Sequence, residues 1–203
     1  MEDLVEHVVP LPERELLVLA PRDGEALLSE EAFATDEFLP YWAELWPSAM
    51  ALARVVARRP LTGRRVLELG CGLGLPALAA AAAGGRVLAT DWAADAVAMT
   101  ARNAAHNGLA VETAVFRWAD DPAPLGPPWP LVLASDVLYE ARNGEALLAL
   151  LPQLGRDIWL ADPGRKAAER FLEAAREIWQ VEQRRAPELV NGAVYRLRQP
   201  VAT

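Results

Sequence analysis

The chain has one cysteine, Cys71, two histidines, His7 and His106, and one lysine, Lys166, in 203 residues. A single cysteine excludes a disulfide framework and a thiolate metal cluster. Two histidines far apart in sequence give no basis for a histidine metal site or a catalytic triad, so no metal is expected. Long apolar runs are missing too. The longest uncharged stretch, Leu69 to Gly85, is mostly Ala and Gly with Pro76 inside, which suits a buried helix and its loop and not a bilayer span. A basic field is also absent. The net charge is −8 and the pI is near 4.9, which argues against a nucleic-acid backbone as main partner, because phosphate binding needs positive charge. Of the 20 basic residues all but Lys166 are Arg, a bias of base composition and not of function. The acidic start, Met1-Glu2-Asp3-Leu4, lacks the basic and apolar regions of a signal peptide. The expectation is a cytoplasmic protein of one domain, with a hydrophobic fraction of 53%, ordinary for a globular α/β chain.

What is present centres on residues 66–76, Val-Leu-Glu-Leu-Gly-Cys-Gly-Leu-Gly-Leu-Pro. Arg64 to Leu69 reads as a buried strand, the glycines allow a sharp turn with room for a ligand against bare main chain, and Pro76 suits the first turn of a helix. Strand, glycine turn and helix make the first half of a nucleotide-binding βαβ unit. The glycines Gly70, Gly72 and Gly74 run G-x-G-x-G, whereas the dinucleotide fingerprint is G-x-G-x-x-G. The strand also carries Glu68, and a carboxylate there suits an ammonium better than a pyrophosphate. S-adenosylmethionine (SAM) has an amino and a carboxylate group and no phosphate. Arg86 to Thr90 reads as a second strand ending on Asp91, about 20 residues past the glycines, where such units hold a ribose. A tight structural turn is the bland alternative, and an NAD-dependent dehydrogenase is the rival enzyme class. The glycine spacing and the lack of a catalytic His or Tyr-x-x-x-Lys disfavour the latter.

Ahead of this core, an extension covers residues 1–39, with a strand-like run at Glu15 to Ala20 and a turn at Pro21-Arg22-Asp23-Gly24. Residues 39–49 then hold Tyr41, Trp42 and Trp46, just before a helix running to about Arg59. These aromatics are either a plug on the domain or a lid over a flat ligand. After Asp91 come Trp92, a helix Ala93 to His106, and a third strand Val111 to Trp118. Trp118 and Asp120 are candidates for an adenine contact, since ligands lie outside the carboxyl ends of parallel strands. Beyond the proline-rich loop Pro122 to Pro130, Leu131 to Ser135 is a buried strand, with Asp136 and Tyr139 after its end. A helix from about Asn143 to Leu154, a fifth strand Asp157 to Ala161, the turn Asp162-Pro163-Gly164-Arg165 and a helix Lys166 to Glu177 follow. Ile178 to Arg184 and Ala193 to Arg198 flank Asn191-Gly192 as a terminal antiparallel pair. The fold expected is a Rossmann-like α/β domain with a mostly parallel seven-stranded sheet and helices on both faces. Its ligand crevice takes in Trp46, Glu68, Gly70, Cys71, Gly72, Gly74, Asp91, Trp92, Trp118 and Ser135. Cys71 is there as a small residue and not as a nucleophile.

This set of motifs resembles the class I SAM-dependent methyltransferases over roughly residues 40–198. Within them it is similar to the seven-β-strand protein-lysine methyltransferases called methyltransferase family 16. The residues that carry the likeness are Pro40-Tyr41-Trp42-Ala43 with Trp46-Pro47, then Trp118, and Asp136-x-x-Tyr139. Together with Asp162-Pro163-Gly164-Arg165 and Leu19-Ala20-Pro21-Arg22 they look most like the branch that methylates the electron transfer flavoprotein β subunit. Ser48-Ala49, where that branch commonly has Gly-Gly, and Glu44 depart from its pattern. The transit peptide of mitochondrial members is absent, which fits a bacterial relative.

The resemblance implies SAM as cofactor, a protein lysine as acceptor, electron transfer flavoprotein as a candidate partner, and a monomer. Asp136 and Tyr139 become the catalytic pair. Asp136 would hold the lysine nitrogen, and Tyr139 with Tyr41 and Trp42 would wall the acceptor channel by cation–π contact. A helix N-cap is the structural alternative for Asp136. A small-molecule N-methyltransferase is the nearest functional alternative, and a SAM-binding protein without turnover a more distant one.

Overall fold

Residues 3–23 and 41–199 are described by the computed structural model. Leu39, Pro40 and Gly24, which the sequence reading uses, lie outside those residues. In chain order the strands are β1 (Leu4–Pro10), β2 (Glu15–Pro21), β3 (Arg65–Leu69), β4 (Arg86–Asp91), β5 (Val111–Val115), β6 (Leu131–Ser135), β7 (Asp157–Asp162), β8 (Gln180–Arg184) and β9 (Ala193–Arg198). The helices are α1 (Pro47–Ala57), α2 (Leu75–Ala82), α3 (Ala94–His106), α4 (Ala141–Leu154) and α5 (Lys166–Ala175).

One sheet runs β5-β4-β3-β6-β7-β9-β8, parallel from β5 to β7. Strand β9 pairs antiparallel with both β7 and β8, as the terminal pair in the sequence predicts. From β3 the chain builds outward through β4 and β5, then returns to lay β6 on the other side of β3. That reversal opens a crevice at the carboxyl ends of β3 and β6, where doubly wound sheets bind ligands.

The strands at this reversal are buried on both faces, so they read as continuous apolar runs and not as alternation. Alternate side chains of β3 go to different cores. Val66 joins α1, α2 and α3 on one face, while Leu67 and Leu69 join α4 and α5 on the other. Fully burying each of those leucines contributes roughly 1.5–3 kcal/mol. Helix α3 buries Ala96, Met99, Thr100, Asn103 and Ala104, the spacing of a single helix face.

Strand β1 was not legible in the sequence, and its hairpin with β2 is held by an unusual edge. Asn103 of α3 and Asn107, the residue that caps its C-terminus, each take a backbone pair from β2. Leu17 N–H donates to Asn107 Oδ1 at 2.9 Å and Asn107 Nδ2 donates to Leu17 O at 2.7 Å. Leu19 N–H donates to Asn103 Oδ1 at 2.8 Å and Asn103 Nδ2 donates to Leu19 O at 3.0 Å. The amides thus substitute for a neighbouring strand and cover an edge that would otherwise be open. Asn103 Nδ2 also donates to Leu73 O at 3.0 Å, which ties the hairpin to the glycine turn.

Several ends differ from the sequence reading. Strand β5 stops at Val115 and not Trp118, because Arg117 N–H turns to Asp120 Oδ2. Helix α5 ends at Ala175, and Ile178 and Trp179 still donate to Ala175 O, so β8 begins only at Gln180. No helix among the described residues is long and apolar enough to cross a membrane.

Candidate active site

The turn after β3 is bare main chain by necessity. Gly70, Gly72 and Gly74 have φ of 65°, 53° and 82°, in the left-handed region that favours glycine. A Cβ on Gly70 would lie 2.9 Å from Val137 Cγ1, and one on Gly72 would lie 3.1 Å from the Trp42 carbonyl oxygen. The aromatic segment therefore lies directly on the turn. Across from it, Asp91 Oδ2 accepts the Gly72 N–H and Asp91 Oδ1 accepts the Ala93 N–H, both at 3.0 Å. Burial pushes the Asp91 carboxyl above the usual range, while those N–H bonds pull the other way. Cys71 is buried beside Thr100, and burial, with Asp91 and then Glu68 nearby, pushes its thiol up, so it is no thiolate nucleophile.

These groups border a cleft of about 230 Å³. It brings together, from the sequence candidates, the three glycines, Cys71, Asp91, Trp92, Trp118 and Ser135 on one side. Tyr41, Trp42 and Trp46 line it as well, and Asp136 and Tyr139, after β6, lie across β3 from Asp91 at the end of β4. Aromatics of this lining are in mutual contact. Trp46 Nε1 donates to Tyr41 O at 2.7 Å, and the Tyr41 ring sits 5.4 Å from that of Tyr139, tilted by 47°. Asp120 is not among the lining residues; it is used in the turn described above.

Asp136 is the one non-glycine residue with positive φ, 59°, among the described residues. It is not a helix cap, since Glu140 holds that position for α4. Aspartate enters this region more readily than most residues, but at a cost, and such strain clusters at functional sites. Its N–H donates to Ala161 O, its Oδ1 accepts from Arg165 Nη1 at 2.5 Å, and its buried Oδ2 has no partner within the described residues. Arg165 is a site residue that the sequence reading did not single out. The D-P-G-R motif marked the turn, and the pairing of β6 with β7 places that turn beside Asp136. Asp162, fully buried, accepts the N–H groups of Gly164 and Arg165 at 2.7 and 2.8 Å, which fixes the turn. Burial pushes the Tyr139 phenol up, so it remains a neutral wall and not a base near neutral pH.

Glu68 requires a correction. It does not line the cleft; it is fully buried under α2, where Oε2 accepts the Ala77 N–H at 2.8 Å. The strand's two-residue alternation sends it to the same face as Val66, away from the crevice. Burial pushes its carboxyl well above the usual range, with the Ala77 bond opposing and Asp91 adding. A raised folded pKa means that this group's contribution is fully present below the unfolded value, about 4.3, and is lost as pH rises through the folded one. Glu68→Gln keeps an oxygen for Ala77 and removes the charge. Its urea stability relative to the parent should therefore improve between about pH 4 and pH 7, and a constant difference would contradict this assignment.

The position of Glu68 also bears on the ligand. A pyrophosphate at the N-terminus of α2 would compete for first-turn N–H groups, and that of Ala77 is already taken. Arg165 is the one basic side chain lining the cleft among the described residues, and it is paired. The lining residues are compatible with SAM, which carries no phosphate: a bare turn, the carboxylate of Asp91 and the indoles of Trp92 and Trp118 all border the cleft.

A doubly wound sheet ending in an antiparallel pair, with this cleft at the β3/β6 reversal, is the fold of the class I SAM-dependent methyltransferases. The magnesium protoporphyrin IX methyltransferase of Synechocystis, solved with bound SAM, shares it with a TM-score of 0.58 at 20% identity over 76% of this chain and 80% of that one. The chain belongs to the lysine methyltransferase family, whose profile matches residues 41–175. The electron transfer flavoprotein beta subunit lysine methyltransferase of Danio rerio is 35% identical over 64% of this chain and 52% of that protein. The histone-arginine methyltransferase METTL23 of Mus musculus is 33% identical over 54% of this chain and 46% of that protein. This chain thus spans about half the length of these curated relatives.

Proposed function

We propose that the protein transfers a methyl group from SAM to a lysine side chain of a protein, with the electron transfer flavoprotein β subunit as first candidate, and acts as a monomer in the bacterial cytoplasm. The observation that carries this reading is the free, buried Oδ2 of Asp136 at the aromatic end of a cleft whose other end fits SAM.

SAM supplies an electrophilic methyl on a sulfonium; in the transfer a C–N bond forms, the C–S bond breaks and sulfur keeps the electron pair. The chain's residues have two tasks. The first is to admit lysine as the neutral amine, since its free pKa is about 10.4. Tyr41, Tyr139 and Trp42 make an apolar vestibule, and desolvation there disfavours the ammonium. The second is alignment. Asp136 Oδ2 accepts an N–H of the amine and turns its lone pair toward the methyl, which is where most of the rate of such a displacement originates. The nitrogen's surplus proton leaves to solvent through the open mouth of the cleft.

Incubation with methyl-labelled SAM and a lysate of the host, followed by peptide mass spectrometry, tests this reading. Label on lysine of a protein is the expected result. Label confined to small molecules, or no label, would overturn it.

A further inference from the structure

The carboxylate at the acceptor end of the cleft is half used, and the half that is used is held rigidly. We infer that Arg165 sets the chemical class of the acceptor: by occupying one oxygen of Asp136, it leaves a site that takes a primary amine and turns away a guanidine. This rests on the amine-methylation reading above and names the residue that enforces it.

A guanidinium recognises a carboxylate as a planar fork, with two parallel N–H bonds to two oxygens. An amine is a point donor, for which one oxygen is enough. Arg165 Nη1 takes Oδ1 of Asp136 at 2.5 Å, and Oδ2 is the buried oxygen left without a partner. An incoming guanidinium would find half of its fork filled and a second guanidinium beside it. An incoming amine finds one acceptor and the paired rings of Tyr41 and Tyr139, 5.4 Å apart.

The main chain of both members of the ion pair is anchored, and the guanidinium has a second carboxylate within reach. The Arg165 N–H donates to Asp162 Oδ1 at 2.8 Å, and its Nη1 lies 3.4 Å from Asp162 Oδ2. Asp136 is pinned by its N–H bond to Ala161 O and by its left-handed backbone. Both anchors, Asp162 and Ala161, stand at the end of β7, and Ser135 of β6 is in register with Ala161, so the geometry is built into the sheet.

The test is binding of two small probes, n-butylamine and n-propylguanidine, to the full chain loaded with S-adenosylhomocysteine, followed by NMR titration. The native protein should bind the amine at least about tenfold more tightly than the guanidine. In Arg165→Met the ratio should fall to about one, because Oδ1 becomes available to the fork. Arg165→Lys should restore the preference, since an ammonium still takes Oδ1. Arg165→Leu, which also carries no donor, has the same expectation as Met should that variant fail to fold. Equal binding of both probes to the native protein, no saturable amine binding, or an unchanged ratio in the Met and Leu variants would overturn the inference. The ratio is read without turnover, so failure of the lysate assay would count against methyl transfer alone.

Discussion

Asp136→Asn should lower methyl transfer to a protein lysine by about 100-fold or more, roughly 2.7 kcal/mol of transition-state positioning, while SAM affinity and the thermal midpoint stay near those of the parent. Asparagine tolerates the left-handed backbone almost as well as aspartate, so the φ of 59° at this position survives the change. Its amide oxygen can still accept from Arg165. What changes is the second position: the free Oδ2 becomes an NH₂ group, a donor facing an amine that needs an acceptor. A purely structural Asp136 would behave differently, because the amide preserves its shape, its backbone and one of its bonds. Steady-state kinetics with the labelled acceptor, together with calorimetry of SAM, separate the two cases. A near-parental rate would place the acceptor site elsewhere in the cleft.

Asp91→Ala should weaken SAM by about 1–3 kcal/mol, the cost of stranding buried hydrogen-bond partners. The carboxylate has two employments. It receives the Gly72 and Ala93 N–H groups, which fixes the glycine turn against β4, and it faces the cleft where a ribose would present its hydroxyls. Alanine removes both, leaving two N–H groups without their acceptor. The loss should appear in SAM binding and in KM for SAM, with kcat largely recovered at saturating SAM, the split expected of a residue that serves the cofactor and not the acceptor. Calorimetry decides it, and unchanged SAM affinity would contradict the placement of the cofactor.

Much of the fold was legible because its strands are continuous apolar runs bounded by glycine, proline and acidic turns. Leu131 to Ser135 is a strand over the same residues in both readings, and the terminal antiparallel pair was marked by Asn191-Gly192. Strand β1 was not legible, because what holds its hairpin lies far away in sequence, in the side-chain amides of Asn103 and Asn107. Ends were misjudged where hydrogen bonding outlasts the element, as after Ala175.

At the site, the residue types pointed to the cleft but not to the direction of each side chain. Glu68 lies two residues before Gly70 in a motif that invites a ligand contact, yet the parity of β3 sends it beneath α2. Arg165 was missed for the opposite reason. Its partner is 29 residues away, and only the adjacency of β6 and β7 brings them together. Nothing local in the sequence signals that Asp136 adopts a left-handed backbone either.

A ternary structure of the protein with S-adenosylhomocysteine and a lysine-containing acceptor peptide tests the central claim most directly. The predicted result has the adenosine between Asp91 and Trp118, the sulfur over the glycine turn, and the lysine nitrogen within about 3 Å of Asp136 Oδ2, with Arg165 still on Oδ1. A lysine nitrogen bound away from Asp136, or a cofactor outside the β3/β6 crevice, would contradict it.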